Sequence, residues 1–238
     1  MYIQRFFSPA QKKAELWVKI LIIVNVVYYI ASLFVSHLLP AGQSVEFFSP
    51  SGQALVALGA SGRELLVRFH MFHSLVNANF LHGNLMHIAF NMLAFYQLFR
   101  PVCWSYGTDR GLVIYLVSGV FAYICSAIMG IEFTVGASGA VFGLMGALLY
   151  FAKSRGDLFG QRLFKEVAVW AALVLAIGFF SEGVNNVAHL TGLIAGAVLG
   201  WFLGFRTRET KKVVWAANIC IIITVLCLLY PIIFIMRL

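Results

Sequence analysis

Charge is scarce in this 238-residue chain: 11% of the residues are charged and 61% are hydrophobic. A soluble globular domain has about 25% charged and about 45–50% apolar residues. Mean hydropathy is +0.90. That balance excludes a soluble enzyme, a disordered chain and a fibrous protein, because side chains this apolar need lipid as their solvent. Acids are scarcer still, 9 against 17 basic residues. The two aspartates, Asp109 and Asp157, fall between the apolar segments, which excludes an aspartyl protease working inside a bilayer. Cys103, Cys125, Cys220 and Cys227 form no CxxC and no regular ladder, so neither a disulfide framework nor a zinc site is expected. No HExxH and no internal repeat occur, which leaves a metalloprotease or an inverted-repeat transporter without support. The net charge of +8 is read as basic membrane flanks and not as nucleic-acid binding.

Seven apolar segments are present: Trp17–Leu39, His82–Phe99, Gly111–Met129, Gly136–Ala152, Phe164–Ser181, Val187–Phe205 and Val213–Met236. Backbone groups facing lipid must pair within their own segment, so each is expected to be a helix. The predicted fold class is all-α, a polytopic membrane helix bundle. The first segment is too long for a signal-peptide core and is expected to stay in the protein. With the N-terminus placed in the cytoplasm, 14 of the 17 basic residues fall on cytoplasmic segments, leaving Arg63, Arg68 and Arg237 outside. This asymmetry predicts seven spans with the C-terminus outside. The expected organisation is a cytoplasmic segment 1–16, a six-helix core 17–205, and a linker with a seventh helix, 206–238. The long outer loop, residues 40–81, is rich in Gly, Ser and Phe. It either lies in the membrane interface or stands in water.

Polar residues inside apolar spans cost free energy and are candidates for function. The second span opens with His82, His87 and Asn91, the fourth with Gly136, Ser138 and Gly139, and the sixth with His189 and Gly192. All three spans run inward, so the clusters share one depth near the outer surface. His87 and Asn91 are four apart and lie on one helix face. Gly192, Gly196, Gly200 and Gly204 recur every fourth residue, and Gly139 and Gly143 have the same spacing. Such faces let helix backbones approach closely, so the fourth and sixth helices are expected to pack together and bring Ser138 to His189. A serine needs a base to take its proton, and imidazole suits that role. His87, Asn91 and the Ser138 N–H are candidate oxyanion donors. No acid lies within the cluster, so a Ser–His dyad is expected without a third carboxylate. Asn25 and Asn218 lie away from the cluster and are assigned no function. Phe179 and Phe180 end the fifth span, either as a lateral gate or as lipid-facing rings.

In these residues the chain resembles the rhomboid family of intramembrane serine proteases. The motifs are His-x-x-x-x-His-x-x-x-Asn at His82, His87 and Asn91, Gly-x-Ser-Gly at Gly136–Gly139, and Ala-His-x-x-Gly-x-x-x-Gly at Ala188–Gly196. The resemblance implies Ser138 as nucleophile, His189 as base, His87 and Asn91 as oxyanion ligands, and His82 as a residue that handles water. It implies a bacterial plasma membrane protein that needs no cofactor or metal. Its substrates would be single-pass transmembrane proteins, cut near the outer end of the spanning helix. The seventh helix resembles the extra C-terminal span of some members. Two departures stand out. Where many members carry a Trp-Arg pair, this chain has His73-Ser74, which leaves open how the long loop is held. Where many carry a tyrosine one turn after the serine, it has Phe142, which can pack on His189 but offers no hydroxyl. The rival readings are a catalytically inactive relative that binds transmembrane helices, and a metal or haem protein using His82, His87 and His189.

Overall fold

The computed structural model describes residues 8–39, 48–205 and 210–235. Of the segments read above, residues 1–7, 40–47, 206–209 and 236–238, with Met236 and Arg237 among them, lie outside the described residues. The chain opens with α1 (Pro9–Leu38). A loop region follows, with short helices α2 (Gly52–Ala57), α3 (Arg63–Val67) and α4 (Ser74–Asn77) and one 3-10 turn (Ala78–Phe80). Then come α5 (Leu85–Tyr106), α6 (Thr108–Ile128), α7 (Ser138–Arg155), α8 (Leu158–Phe180), α9 (Asn186–Leu203) and α10 (Lys211–Ile235). Among the described residues, β-structure is limited to a single antiparallel bridge between Ser61 and Thr134.

All seven apolar segments are helical, with ends set by capping groups that hydropathy does not register. The first helix starts at Pro9, not Trp17, because the Ser8 side chain accepts from the Gln11 N–H and Gln11 answers with its own side chain. The second starts at Leu85, not His82: the Asn84 side chain accepts from the His87 N–H at 2.8 Å. It runs on past Phe99 to Tyr106. The fourth starts at Ser138, not Gly136. Asp157 caps α8, accepting from the Gly160 N–H at 2.8 Å. The Arg155 guanidinium, helped by that N–H, holds the Asp157 carboxyl down at about 2.

Among the described residues, five helices (α1, α6, α8, α9 and α10) are long and apolar enough to cross a membrane. The other two long helices, α5 and α7, carry glycine and polar residues of the candidate site. α7 can be less apolar because other helices cover it: Leu144, Ala147 and Leu148 are at most 1% exposed. α8 and α10 sit outside it, with exposed faces at Ile177, Trp215 and Leu226.

Asp109 and Arg110 correct the sequence reading. They lie not in a cytoplasmic loop but in the first turn of α6, and both are buried. Lys13 Nζ sits 2.7 Å from each Asp109 carboxylate oxygen. Arg110 donates to the carbonyls of Tyr106 and Leu203. Arg100 pairs with Glu15 at 2.5 Å. These ion pairs join the ends of α1, α5 and α6 remote from the candidate site. The loop before α5 is folded against the bundle: Ala54, Leu58, Ala60, Asn77, Ala78 and Phe80 are at most 1% exposed. Val67, Phe69 and Phe72 point outward and are exposed, as a loop lying in the interface would require.

Candidate active site

The site is built where α7 begins. Gly136 adopts φ +124°, a conformation disfavoured for residues with a Cβ. A Cβ there would also lie 2.6 Å from His87 Nε2. Gly136 is therefore required twice, by its own backbone and by the imidazole against it. Its N–H donates to the Ala78 carbonyl at 2.8 Å, and its carbonyl accepts from the Tyr123 hydroxyl at 2.5 Å. The turn so fixed presents Ser138 as the first residue of α7, partly exposed between buried neighbours. The N–H groups of a helix's first turn have no intrahelical carbonyl, so that of Ser138 is free to serve an anion at the helix N-terminus.

α9 lies directly against this turn, as the small-residue spacing predicts. A Cβ on Gly192 would come within 2.2 Å of the Gly139 carbonyl oxygen, and one on Gly196 within 1.8 Å of that of Gly143. A Cβ on Gly139 would sit 3.6 Å from the Ala188 carbonyl. The stripe is shorter than expected, because Gly204 lies past the end of α9 as its C-cap. The seam sets the first turn of α7 beside the first turn of α9, which carries His189. The Phe142 ring stacks on the His189 imidazole, centroids 4.4 Å apart and planes 10° apart. Packing without a hydroxyl is thus realised.

His189 has a polar neighbour that the sequence reading missed. Asn186 Oδ1 lies 3.2 Å from His189 Nδ1, and Asn186 Nδ2 donates to the Leu175 carbonyl on α8. With its amide N–H committed to α8, Asn186 offers oxygen to the ring. That arrangement favours the proton on Nδ1 and leaves the Nε2 lone pair able to accept one. The available signal in the sequence is an amide three residues before a helical histidine, on the same face of α9. Asn185 was missed as well. Its side chain caps α9 at Ala188 and donates to Ser126 and Thr134, tying α9 to α6 and to the segment before Gly136.

His87 accepts the Gly83 N–H at Nδ1, 3.4 Å away, which makes Nε2, the nitrogen facing Gly136, the donor. Asn91 spends one amide hydrogen on the His87 carbonyl at 2.9 Å, and the second remains for a ligand. His82 precedes α5 and is fully buried; its ring meets His87 edge-on at 5.1 Å. Phe179 and Phe180 are 79% and 86% exposed and contact each other at the end of α8. Among the described residues, no three His, Cys, Asp or Glu side chains converge to hold a metal ion.

The Rhomboid domain model matches residues 69–206, from within the outer loop to just past α9. Rhomboid protease GluP of Bacillus subtilis is 35% identical over 156 residues, 66% of this chain and 31% of that protein. Putative rhomboid protease YdcA, also of Bacillus subtilis, is 32% identical over 140 residues, 58% of this chain and 69% of that protein. RHOMBOID-like protein 4 of Arabidopsis thaliana is 30% identical over 159 residues, 66% of this chain and 40% of that protein. The match thus spans well under half of two of these three relatives. The domain match takes in the Gly136 turn, the α7–α9 seam and all the polar residues gathered around them, and it establishes that this integral membrane protein belongs to the rhomboid family.

Proposed function

We propose that this protein is an intramembrane serine endopeptidase. The observation that carries the reading is the stacking of Phe142 on His189 across the glycine seam. Phe142 is one helical turn beyond Ser138, so the same packing holds the hydroxyl-bearing turn beside the imidazole. In this reading His189 Nε2 takes the Ser138 Oγ proton as Oγ attacks the scissile carbonyl carbon. The oxyanion receives the Ser138 N–H, His87 Nε2–H and the free Asn91 N–H. Collapse breaks the C–N bond, and His189 returns its proton to the leaving amine. Water then hydrolyses the acyl-serine by the reverse use of the same groups.

The charge asymmetry supports seven spans with the N-terminus in the cytoplasm and the site near the outer surface, and the family resemblance supports a bacterial plasma membrane. Substrates in this reading are single-pass transmembrane proteins. Small residues flanking the bond, and helix-weakening residues below it, favour cleavage because helical carbonyls are shielded until the helix unwinds. The test is labelling of detergent-solubilised protein with a fluorophosphonate. Labelling that disappears in Ser138→Ala and falls in His189→Ala is the expected result. An unlabelled parent protein that still binds transmembrane peptides would instead identify a non-cleaving relative.

A further inference from the structure

We infer that the seventh helix, α10, is a positioning element for the serine turn, and that it acts through Asn77. Pro231 lies inside α10 and is buried. A proline has no N–H, so the carbonyl four residues earlier loses its intrahelical donor. That carbonyl belongs to Cys227. Asn77, at the end of α4 and fully buried, donates its side-chain N–H to the Cys227 carbonyl at 2.9 Å. The loop thus fills the vacancy that the proline opens in α10.

The junction reaches α1 as well. The Asn77 amide nitrogen also lies 3.1 Å from the Leu58 carbonyl and 3.3 Å from the Tyr28 hydroxyl. The Tyr28 hydroxyl has the Leu58 carbonyl at 3.1 Å and the Leu228 carbonyl of α10 at 3.4 Å. Three residues past Cys227, the Tyr230 ring packs on the His73 ring, centroids 4.8 Å apart. His73 and Ser74 occupy the place where the Trp-Arg pair is missing. The loop is therefore fastened from outside, at both ends of α4, by α10.

The fastening lies one residue from the site's scaffold. Asn77 is followed by Ala78, whose carbonyl accepts the Gly136 N–H at 2.8 Å. The Tyr123 hydroxyl, 2.5 Å from the Gly136 carbonyl, lies 3.3 Å from the same Ala78 oxygen. Gly136 is two residues from Ser138. Hydrogen bonds and adjacent residues therefore run unbroken from the proline-freed carbonyl of α10 to the turn that presents the serine. Asn77 is a positioning residue here: it holds Ala78, which holds Gly136. The inference rests on the protease reading for its consequence in rate, while the mechanical link can be measured without it.

The test uses the full chain in detergent and two readouts: the rate of fluorophosphonate labelling, and deuterium uptake by peptides covering residues 131–137. Asn77→Leu keeps the branched shape of the side chain and removes the donor. It is expected to slow labelling about tenfold, the effect of one buried hydrogen bond, and to raise uptake in 131–137 while α8 is unchanged. Pro231→Ala returns an N–H to the Cys227 carbonyl. It is expected to slow labelling about threefold, because Asn77 keeps its other two acceptors. The double variant should be no slower than Asn77→Leu alone, since both changes break one link. Tyr230→Phe keeps the ring on His73 and should match the parent in both readouts. Unchanged uptake in 131–137 in Asn77→Leu overturns the inference, whether or not the parent is labelled. Additive effects in the double variant also overturn it. A parent that is never labelled, with uptake that still rises in Asn77→Leu, sinks the protease reading and leaves the link standing.

Discussion

At the site end of the bundle the polar residues, buried (Asn77, Asn91, Tyr123) or half-buried (His87, Asn185), are amides, an imidazole and a hydroxyl held by backbone atoms. At the opposite end the polar groups are ions. Asp109 holds Lys13, and Glu15 holds Arg100. Each arrangement suits its place. Paired opposite charges offset the desolvation of helix ends, and long basic side chains can reach the headgroups. A carboxylate beside Ser138 would instead repel a developing oxyanion. Chemistry that creates negative charge is better served by neutral donors aimed at one point. The ion pairs therefore fasten helices, and the uncharged network aims groups.

The largest expected effect is at the site itself. Ser138→Ala should reduce peptide cleavage by at least about a thousandfold with an unchanged unfolding midpoint; residual cleavage near the parent's level would show that another group is the nucleophile. Next comes the seam on which the site depends. Gly196→Leu places a side chain where a Cβ alone would sit 1.8 Å from the Gly143 carbonyl oxygen. It should cost about 3 kcal/mol of stability, whereas Gly83→Ala, with no atom within 4 Å, should cost little. Equal thermal midpoints for the two would contradict the close approach of α7 and α9.

Asn186→Leu sharpens the comparison, since it removes an uncharged orienting contact and no charge. It should lower kcat about tenfold with KM nearly unchanged, and move the acidic limb of the pH–rate profile, which a purely structural residue would not do. Asp109→Asn tests the opposite end. It should lower stability by about 1 kcal/mol, because Lys13 is partly solvated, yet leave the labelling rate of the folded fraction alone; a slowed rate would mean that the two ends are coupled. The smallest effect concerns the Asp157 cap. Its carboxyl is held at about 2 in the fold, below its usual value. The cap's contribution is therefore fully present above the ordinary carboxylate range and is lost only as the pH falls through that range towards 2. Protection of the amides in the first turn of α8 relative to their intrinsic exchange rates, followed from pH 7 to pH 2, should fall only at the acidic end; a fall near neutrality would contradict it.

Hydropathy located all seven helices, because lipid demands long apolar segments wherever the chain crosses it. It misplaced their ends, because ends are set by single caps such as Ser8, Asn84 and Asp157. The glycine spacing disclosed the α7–α9 seam, since a bare helix face has few uses other than close packing. Asn186 and Asn77 were not legible in the same way. A buried amide is common, and its role depends on what folding brings to it: Leu175 and His189 in one case, Cys227 and Leu58 in the other.

The order of residues by itself determined that the chain must live in lipid, and which side chains could carry chemistry there. Both follow from composition and local spacing, which exist before any contact is made. Only the tertiary structure decided that Gly136 abuts His87, that Phe142 lies on His189, and that a carbonyl freed by Pro231 is taken up by a loop some 150 residues earlier. These are encounters between segments distant in sequence. No local pattern encodes which buried donor will meet which acceptor until packing has fixed both.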